Sequence, residues 1–185
     1  MFFQNESEYK YLLEKSDFLW LFLYAKKHYS AEDDIIQINY YYDTPDNNYN
    51  INNETIRIRQ IGENLSLQRK KHIMTENNLY KSEELIEKLN ALPLNMECSG
   101  TNDIVYFKGA LITERKIYKP ETGINLIFDT NYYLGTCDYE IEIEFDYSKK
   151  NRVSELLNKL CIQNTENVKN KSGRFFDKLS SLQSL

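Results

Sequence analysis

Residues 138 to 146 read DYEIEIEFD, with Glu140, Glu142 and Glu144 on alternate positions and Tyr139, Ile141, Ile143 and Phe145 between them. Alternation with period two is the signature of a strand whose two faces meet different surroundings. One face is apolar and suits a core, while the other is a row of carboxylates with no basic residue inside the strand. Side chains two apart on a strand stand roughly 6.5 to 7 Å from one another, close enough that the three charges repel unless something compensates them.

The same division recurs along the chain. ESEYK places Glu6, Glu8 and Lys10 on one face and Ser7 and Tyr9 on the other. QINYYYD, TIRIRQ, NLSLQRK, LITERKIY and INLIFD all alternate, and residues 79 to 85 are read as a further strand. Arg57 and Arg59 share a face opposite Ile56 and Ile58, and Ser66, Gln68 and Lys70 stand opposite Leu65 and Leu67. Thr113 and Arg115 share another face, and Asp129 closes the strand before the glutamate row. Between TIRIRQ and NLSLQRK, IGEN supplies a turn at Gly62, which predicts a hairpin over residues 55 to 70. Helical spacing is present at residues 17 to 28, in RVSELLNKL and in RFFDKLSSL. FLWLFLYA, after Ser16 and Asp17 as a helix start, predicts a buried helix and is far shorter than the roughly 20 residues a membrane span requires.

A solvated sheet face accounts for any one of these rows. It accounts poorly for all of them together, since arginines concentrate on one hairpin and glutamates on the first and last strands. Carboxylates that hold Mg²⁺ or Mn²⁺ beside cations that hold phosphate oxygens are the parts of metal-assisted phosphoryl chemistry. Rows turned into a closed antiparallel barrel, with apolar faces outward beneath the helices, would make a polar lumen for such a ligand.

Composition narrows the alternatives. The chain has 185 residues, 41% hydrophobic and 28% charged, with fifteen tyrosines. This suits one domain over residues 1 to 185. A net charge of −5 argues against general nucleic-acid binding. Cys98, Cys137 and Cys161 lack the spacing of a zinc site, and with only His28 and His72 a histidine-based triad has little material. The start MFFQNES lacks the flank of a signal peptide, so the expected location is cytoplasmic, with no membrane association.

With those residues in hand, the chain resembles the CYTH superfamily, the triphosphate tunnel metalloenzymes, whose first strand carries E-x-E-x-K. Glu6-Ser7-Glu8-Tyr9-Lys10 matches it, as do NYYYDTPD at 39 to 46, the pair Arg57 and Arg59, Thr113-x-Arg115, Asp129 ahead of YYLG, the glutamates 140 to 144, and KNKSGRF at 169 to 175. The resemblance implies an α+β fold built on an eight-stranded antiparallel closed tunnel with helices packed outside. It implies metal held by Glu6, Glu8, Glu140, Glu142, Glu144 and Asp129, with Glu8 and Glu142 catalytic. Phosphate oxygens would be held by Lys10, Arg57, Arg59, Lys70, Arg115 and Arg174, with Lys169 or Lys171 at the tunnel end. Two positions depart from the family pattern: Gln68 stands where a lysine is common, and the fifth strand offers only Glu83 on one face and Glu84 on the other, of which Glu83 is taken as the candidate.

The expected activity is metal-dependent hydrolysis of inorganic triphosphate, thiamine triphosphate or a similar small triphosphate. A class IV type adenylate cyclase making cyclic AMP from ATP is the runner-up, and a non-catalytic polyphosphate-binding module the alternative of another class. A monomer and a homodimer are both left open. Glu8→Gln or Glu142→Gln is expected to abolish turnover with little loss of stability.

Overall fold

The computed structural model describes the backbone of residues 2–76, 79–98, 101–162 and 168–184, and the side chains of these except 2–6 and 72–76. In chain order the elements are β1 (Phe2–Leu13), α1 (Lys15–His28), β2 (Ser30–Asp43), α2 (Asn48–Ile51), β3 (Glu54–Ile61), β4 (Asn64–Glu76), β5 (Leu79–Leu89), β6 (Asn95–Glu97), β7 (Ile104–Glu121), β8 (Ile124–Tyr133) and β9 (Thr136–Phe145). A short 3₁₀ turn, α3 (Lys150–Lys159) and α4 (Lys171–Gln183) follow.

The strand order β2-β3-β4-β5-β1-β9-β8-β7 is closed by pairing of β7 with β2, which gives an eight-stranded antiparallel barrel. The short β6 adds to the free side of β7. Closure leaves the eight barrel strands no open edge. The predicted hairpin is β3–β4, which turns through Gly62 at φ +56°, a conformation that favours glycine. Residues 79 to 85 belong to β5, which continues to Leu89.

Register sets which rows face inward. Lys10 lies opposite Glu142, Glu8 opposite Glu144, Arg57 opposite Gln68, Lys70 opposite Glu84, and Arg115 opposite Asp129, itself opposite Glu140. Directly paired residues share a face, so the charged rows meet inside the barrel. The alternate residues point outward. Tyr9 and Tyr11 of β1, Leu126 and Phe128 of β8, and Ile141 and Ile143 of β9 form a core beneath Phe18, Leu21 and Ala25 of α1 and Val153, Leu156 and Leu160 of α3. Each buried Val, Leu, Ile or Phe among these contributes about 1.5–3 kcal/mol relative to exposure. A second outer cluster gathers Ile56, Ile58, Tyr42, Tyr49, Cys98 and Val105.

The helices differ from expectation in two respects. α1 starts at Lys15 after Glu14, so Ser16 and Asp17 lie inside its first turn. It is not a buried helix: Phe18, Leu21 and Ala25 pack on the barrel, while Trp20 is 58% and Leu23 63% exposed. The barrel covers one face of a helix that is apolar nearly all round. α4, capped by the Asn170 side chain accepting from the Gly173 amide at 2.7 Å, does more than cover an outer face. Its Phe175 and Phe176 pack with Tyr41, Leu111 and Tyr133 at one end of the lumen. Gly109 makes this possible, because a Cβ there would stand 2.7 Å from Phe175 Cζ. Among the described residues no helix is long and apolar enough to cross a membrane.

Candidate active site

The inward rows surround a cavity of about 490 Å³, open mouth included. Glu8, Lys10, Thr55, Arg57, Arg59, Lys70, Arg115, Glu142, Glu144, Asn170, Lys171 and Ser172 line it. Every one of these side chains is polar or charged, and six cations face three carboxylates. The described lining carries more cations than carboxylates, and Glu84, Asp129 and Glu140 stand behind it as further ion-pair partners of Arg57, Arg115 and Lys171.

The carboxylates are held by name. Lys10 Nζ stands 3.0 Å from both Glu8 Oε1 and Glu142 Oε1, and Lys70 Nζ donates to Glu8 Oε1 at 3.3 Å. Lys171, at the start of α4, reaches Glu142 Oε1 at 2.5 Å, Asp129 at 2.8 Å and Glu140 at 3.2 Å. Arg115 donates to Asp129 through both Nε (2.8 Å) and Nη2 (2.6 Å), and Nη2 also reaches Glu142 at 2.6 Å. Arg57 donates to Gln68 Oε1 at 2.7 Å and Glu84 Oε1 at 3.0 Å. Arg174 joins Glu140 at 2.5 Å to Asp138 at 2.9 Å.

These contacts decide the ionisation. Burial alone would raise the Glu8 pKa, but Lys10 and Lys70 outweigh it and hold the carboxyl down to about 2. Glu142 is likewise buried, and Lys10, Lys171 and Arg115 keep it well below the usual carboxylate range. Lys10 is desolvated too, yet Glu142 and Glu8 raise it well above an ordinary lysine. A carboxyl whose folded pKa is depressed adds stability that is complete above its unfolded value and lost as pH falls through the folded one. Stability should therefore decline between pH 4.5 and about 2 as Glu8 protonates, which urea unfolding across that range will show. A flat profile there would remove Glu8 as an ionised partner of the two lysines.

Most of the candidate residues come together, with five exceptions, one of which is Arg174: it does not line the cavity and is held by Glu140 and Asp138. Glu8, Glu142 and Glu144 converge, each offering one oxygen within 4.8 Å of the others. Glu140 and Asp129 are fully buried deeper in the barrel, bound to Lys171, Arg115 and Arg174, and stand outside that group. Glu6 lies in β1 opposite Ser82, and its side chain is outside the described residues. Lys169 is not in the tunnel: it is exposed and its ammonium is held by Asp177 at 2.6 Å. Lys171 takes the interior position instead.

In β5 the inward acid is Glu84, not Glu83. Glu84 pairs with Lys70 on the inner face, whereas Glu83 pairs with Lys71 on the outer face and is exposed. Gln68, the departure from the family pattern, orients Arg57. Thr55 and Ser172, whose hydroxyls lie 2.7 Å apart, also line the cavity. Thr55 was legible, since it shares the parity of Arg57 and Arg59; Ser172 follows only once α4 is known to enter the lumen. Asp43, in the NYYYDTPD stretch, is structural: its carboxylate accepts the amides of Thr44 (2.8 Å), Tyr49 (3.0 Å) and Asn50 (2.9 Å) and so shapes the turn into α2.

A closed barrel whose lumen carries facing rows of acids and bases is the frame of this site. The chain belongs to the CYTH family, whose domain profile matches residues 4–175. Among solved structures it is similar to a candidate adenylate cyclase from Bacillus halodurans, at 26% identity and a TM-score of 0.73 over 95% of this chain and 100% of that one. It also resembles a candidate adenylyl cyclase from Hippeastrum described as having a dominant triphosphatase activity (19% identity, TM-score 0.71, 93% and 95% of the two chains). The Mimivirus capping enzyme triphosphatase shares the fold at 12% identity and a TM-score of 0.55, over 85% of this chain and 88% of that one. No curated protein matches the chain.

Proposed function

We infer that the protein is a metal-dependent triphosphatase acting inside the barrel, with inorganic triphosphate as the substrate that fits best. The observation that carries this reading is the cavity lining: among the described residues it has six cations, three convergent carboxylates, and no aromatic or aliphatic side chain on which a base or thiazole ring could rest. A triphosphate offers what such a lining lacks, namely several adjacent anionic oxygens.

Glu8, Glu142 and Glu144 form an all-oxygen set, the donor type preferred by hard divalent cations such as Mg²⁺ and Mn²⁺. A cation entering there competes with Lys10, Lys70 and Lys171 for the same oxygens. Once bound, it would supply charge compensation and Lewis acidity toward a phosphoryl oxygen. The chain's own cations do the rest. Arg57, Arg59 and Arg115 come from two walls of the barrel and would spread their donors over successive phosphates. Lys10 and Lys70 would exchange carboxylate partners for phosphate oxygens. Glu8 and Glu142, ionised at neutral pH, are placed to accept hydrogen bonds from an attacking water and align it with the terminal phosphorus. Water adds to that phosphorus and the bridging P–O bond breaks, giving orthophosphate and pyrophosphate.

The name of the Bacillus halodurans structure supports the cyclase as the second reading. Incubation with Mg²⁺ or Mn²⁺ and, in turn, inorganic triphosphate, thiamine triphosphate and ATP separates the two. Orthophosphate without cyclic AMP, fastest from inorganic triphosphate, is the expected result. Cyclic AMP with pyrophosphate from ATP would replace this reading with the cyclase, and metal-dependent binding without turnover would replace it with a binding module.

A further inference from the structure

The arginines inside the barrel are not equivalent. Arg57 holds Glu84, Arg115 holds Asp129 and Glu142, and Arg174 holds Glu140 and Asp138. Arg59 has no carboxylate oxygen within 4 Å among the described residues. Its Nε donates instead to Asn39 Oδ1 at 3.0 Å, across the β2–β3 pair in which the two residues are directly opposite. A guanidinium can only donate, so this contact also fixes which way the Asn39 amide points. Asn39 is 0% exposed, and its Nδ2 has no partner among the described residues. The amide is sealed behind Arg59, which faces the cavity.

We propose that Asn39 is a positioning residue for substrate capture: it fixes the Arg59 guanidinium with a neutral acceptor and so leaves the full positive charge of Arg59 to a phosphate of the triphosphate. The proposal rests on the triphosphate reading above. The surroundings of Arg59 agree with an uncompensated charge. Burial first, then Arg57 and Arg115, push its pKa down to about 9, against a smaller opposing pull from Glu84 and Tyr41. It therefore remains charged at neutral pH with its repulsion only partly relieved. Its two neighbours in the inward row of β2 continue the pattern, since Gln37 and Tyr41 are buried, neutral, and present Nε2 and OH without partners among the described residues. A carboxylate at position 39, in contrast, would repeat the closed pairs seen at Arg57 and Arg115 and neutralise a guanidinium that has no carboxylate partner among the described residues.

Asn39→Asp is nearly isosteric and tests this. With inorganic triphosphate as titrant, by calorimetry with Mg²⁺ and again with chelator, Asn39→Asp should weaken binding about tenfold or more, the usual worth of a charged contact. Its KM should rise with kcat little changed, and its melting midpoint should be no lower than that of the wild type. Asn39→Ala, which removes the acceptor but adds no charge, should weaken binding less. In an Arg59→Gln background, Asn39→Asp should have no further effect. Wild-type affinity in Asn39→Asp, or an equal loss with and without Arg59, would overturn the proposal while leaving the triphosphate reading intact. A wild-type protein that binds no triphosphate would remove that reading and this proposal with it.

Discussion

Glu142→Gln should lower turnover of triphosphate at saturating Mg²⁺ by about a hundredfold to a thousandfold, the usual cost of deleting one preorganised electrostatic group from a site. Glu142 is the residue most of the site converges on: Lys10, Lys171 and Arg115 all contact it within 3.0 Å, and it belongs to the convergent carboxylate group. The same centrality corrects the expectation that a glutamine here leaves stability untouched. Glu142 is buried, and removing its charge takes one carboxylate from three cations that keep Glu8, Asp129 and Glu140 as partners, which costs about 1.5–3 kcal/mol. Turnover must therefore be expressed per folded molecule, with urea unfolding run in parallel. Glu144 supplies the contrast. Its side chain is 31% exposed, so Glu144→Gln should weaken Mg²⁺ dependence at a smaller cost in stability than Glu142→Gln. If Glu142→Gln retained full turnover, the metal assignment would be wrong.

Phe175→Ala should destabilise the fold by about 3–5 kcal/mol, the range for removing a fully buried aromatic ring. The ring lies between Tyr41, Tyr133 and Phe176, with centroids 4.8, 6.4 and 5.4 Å away, and plugs one end of the lumen. Because the same helix begins with Lys171 and Ser172 in the cavity, loosening the plug should also raise KM for triphosphate. Gly109→Val attacks the contact from the other side. A side chain there meets Phe175 at 2.7 Å and must also adopt φ +146°, so the two variants should show similar losses in urea unfolding. A Gly109→Val protein as stable as the wild type would mean that α4 does not depend on this close approach.

How much of this was legible in the sequence varies with the element. The charge rows were, because a strand that alternates for six or more residues states its two faces outright; β1, β3, β7 and β9 needed nothing further. Closure into a barrel was legible only through the need to put every row inside. What period two does not state is which face of a mixed strand turns inward. Glu83 and Glu84 are one acid on each side of β5, and the choice falls on Glu84 because Lys70 lies opposite it. α1 misled by composition: a run as apolar as FLWLFLYA reads as buried, yet only one face meets the barrel and Trp20 and Leu23 remain outside. Lys169 and Lys171 are two residues apart and alike in composition. The Asn170 cap decides between them by starting α4 at Lys171, which directs that ammonium inward and leaves Lys169 to Asp177. Asn39 opens the NYYYDTPD stretch, yet the positioning role proposed for it has no signal there, because an asparagine among tyrosines on a strand states nothing until the guanidinium facing it is known.

The most direct test of the account is the release of orthophosphate from inorganic triphosphate by the wild-type protein, followed with Mg²⁺ or Mn²⁺ and again after chelation. The tunnel described here predicts one orthophosphate and one pyrophosphate per triphosphate consumed, with turnover stopped by the chelator and restored by added metal. Triphosphate left intact at every metal concentration, with no binding detectable by calorimetry, would contradict it.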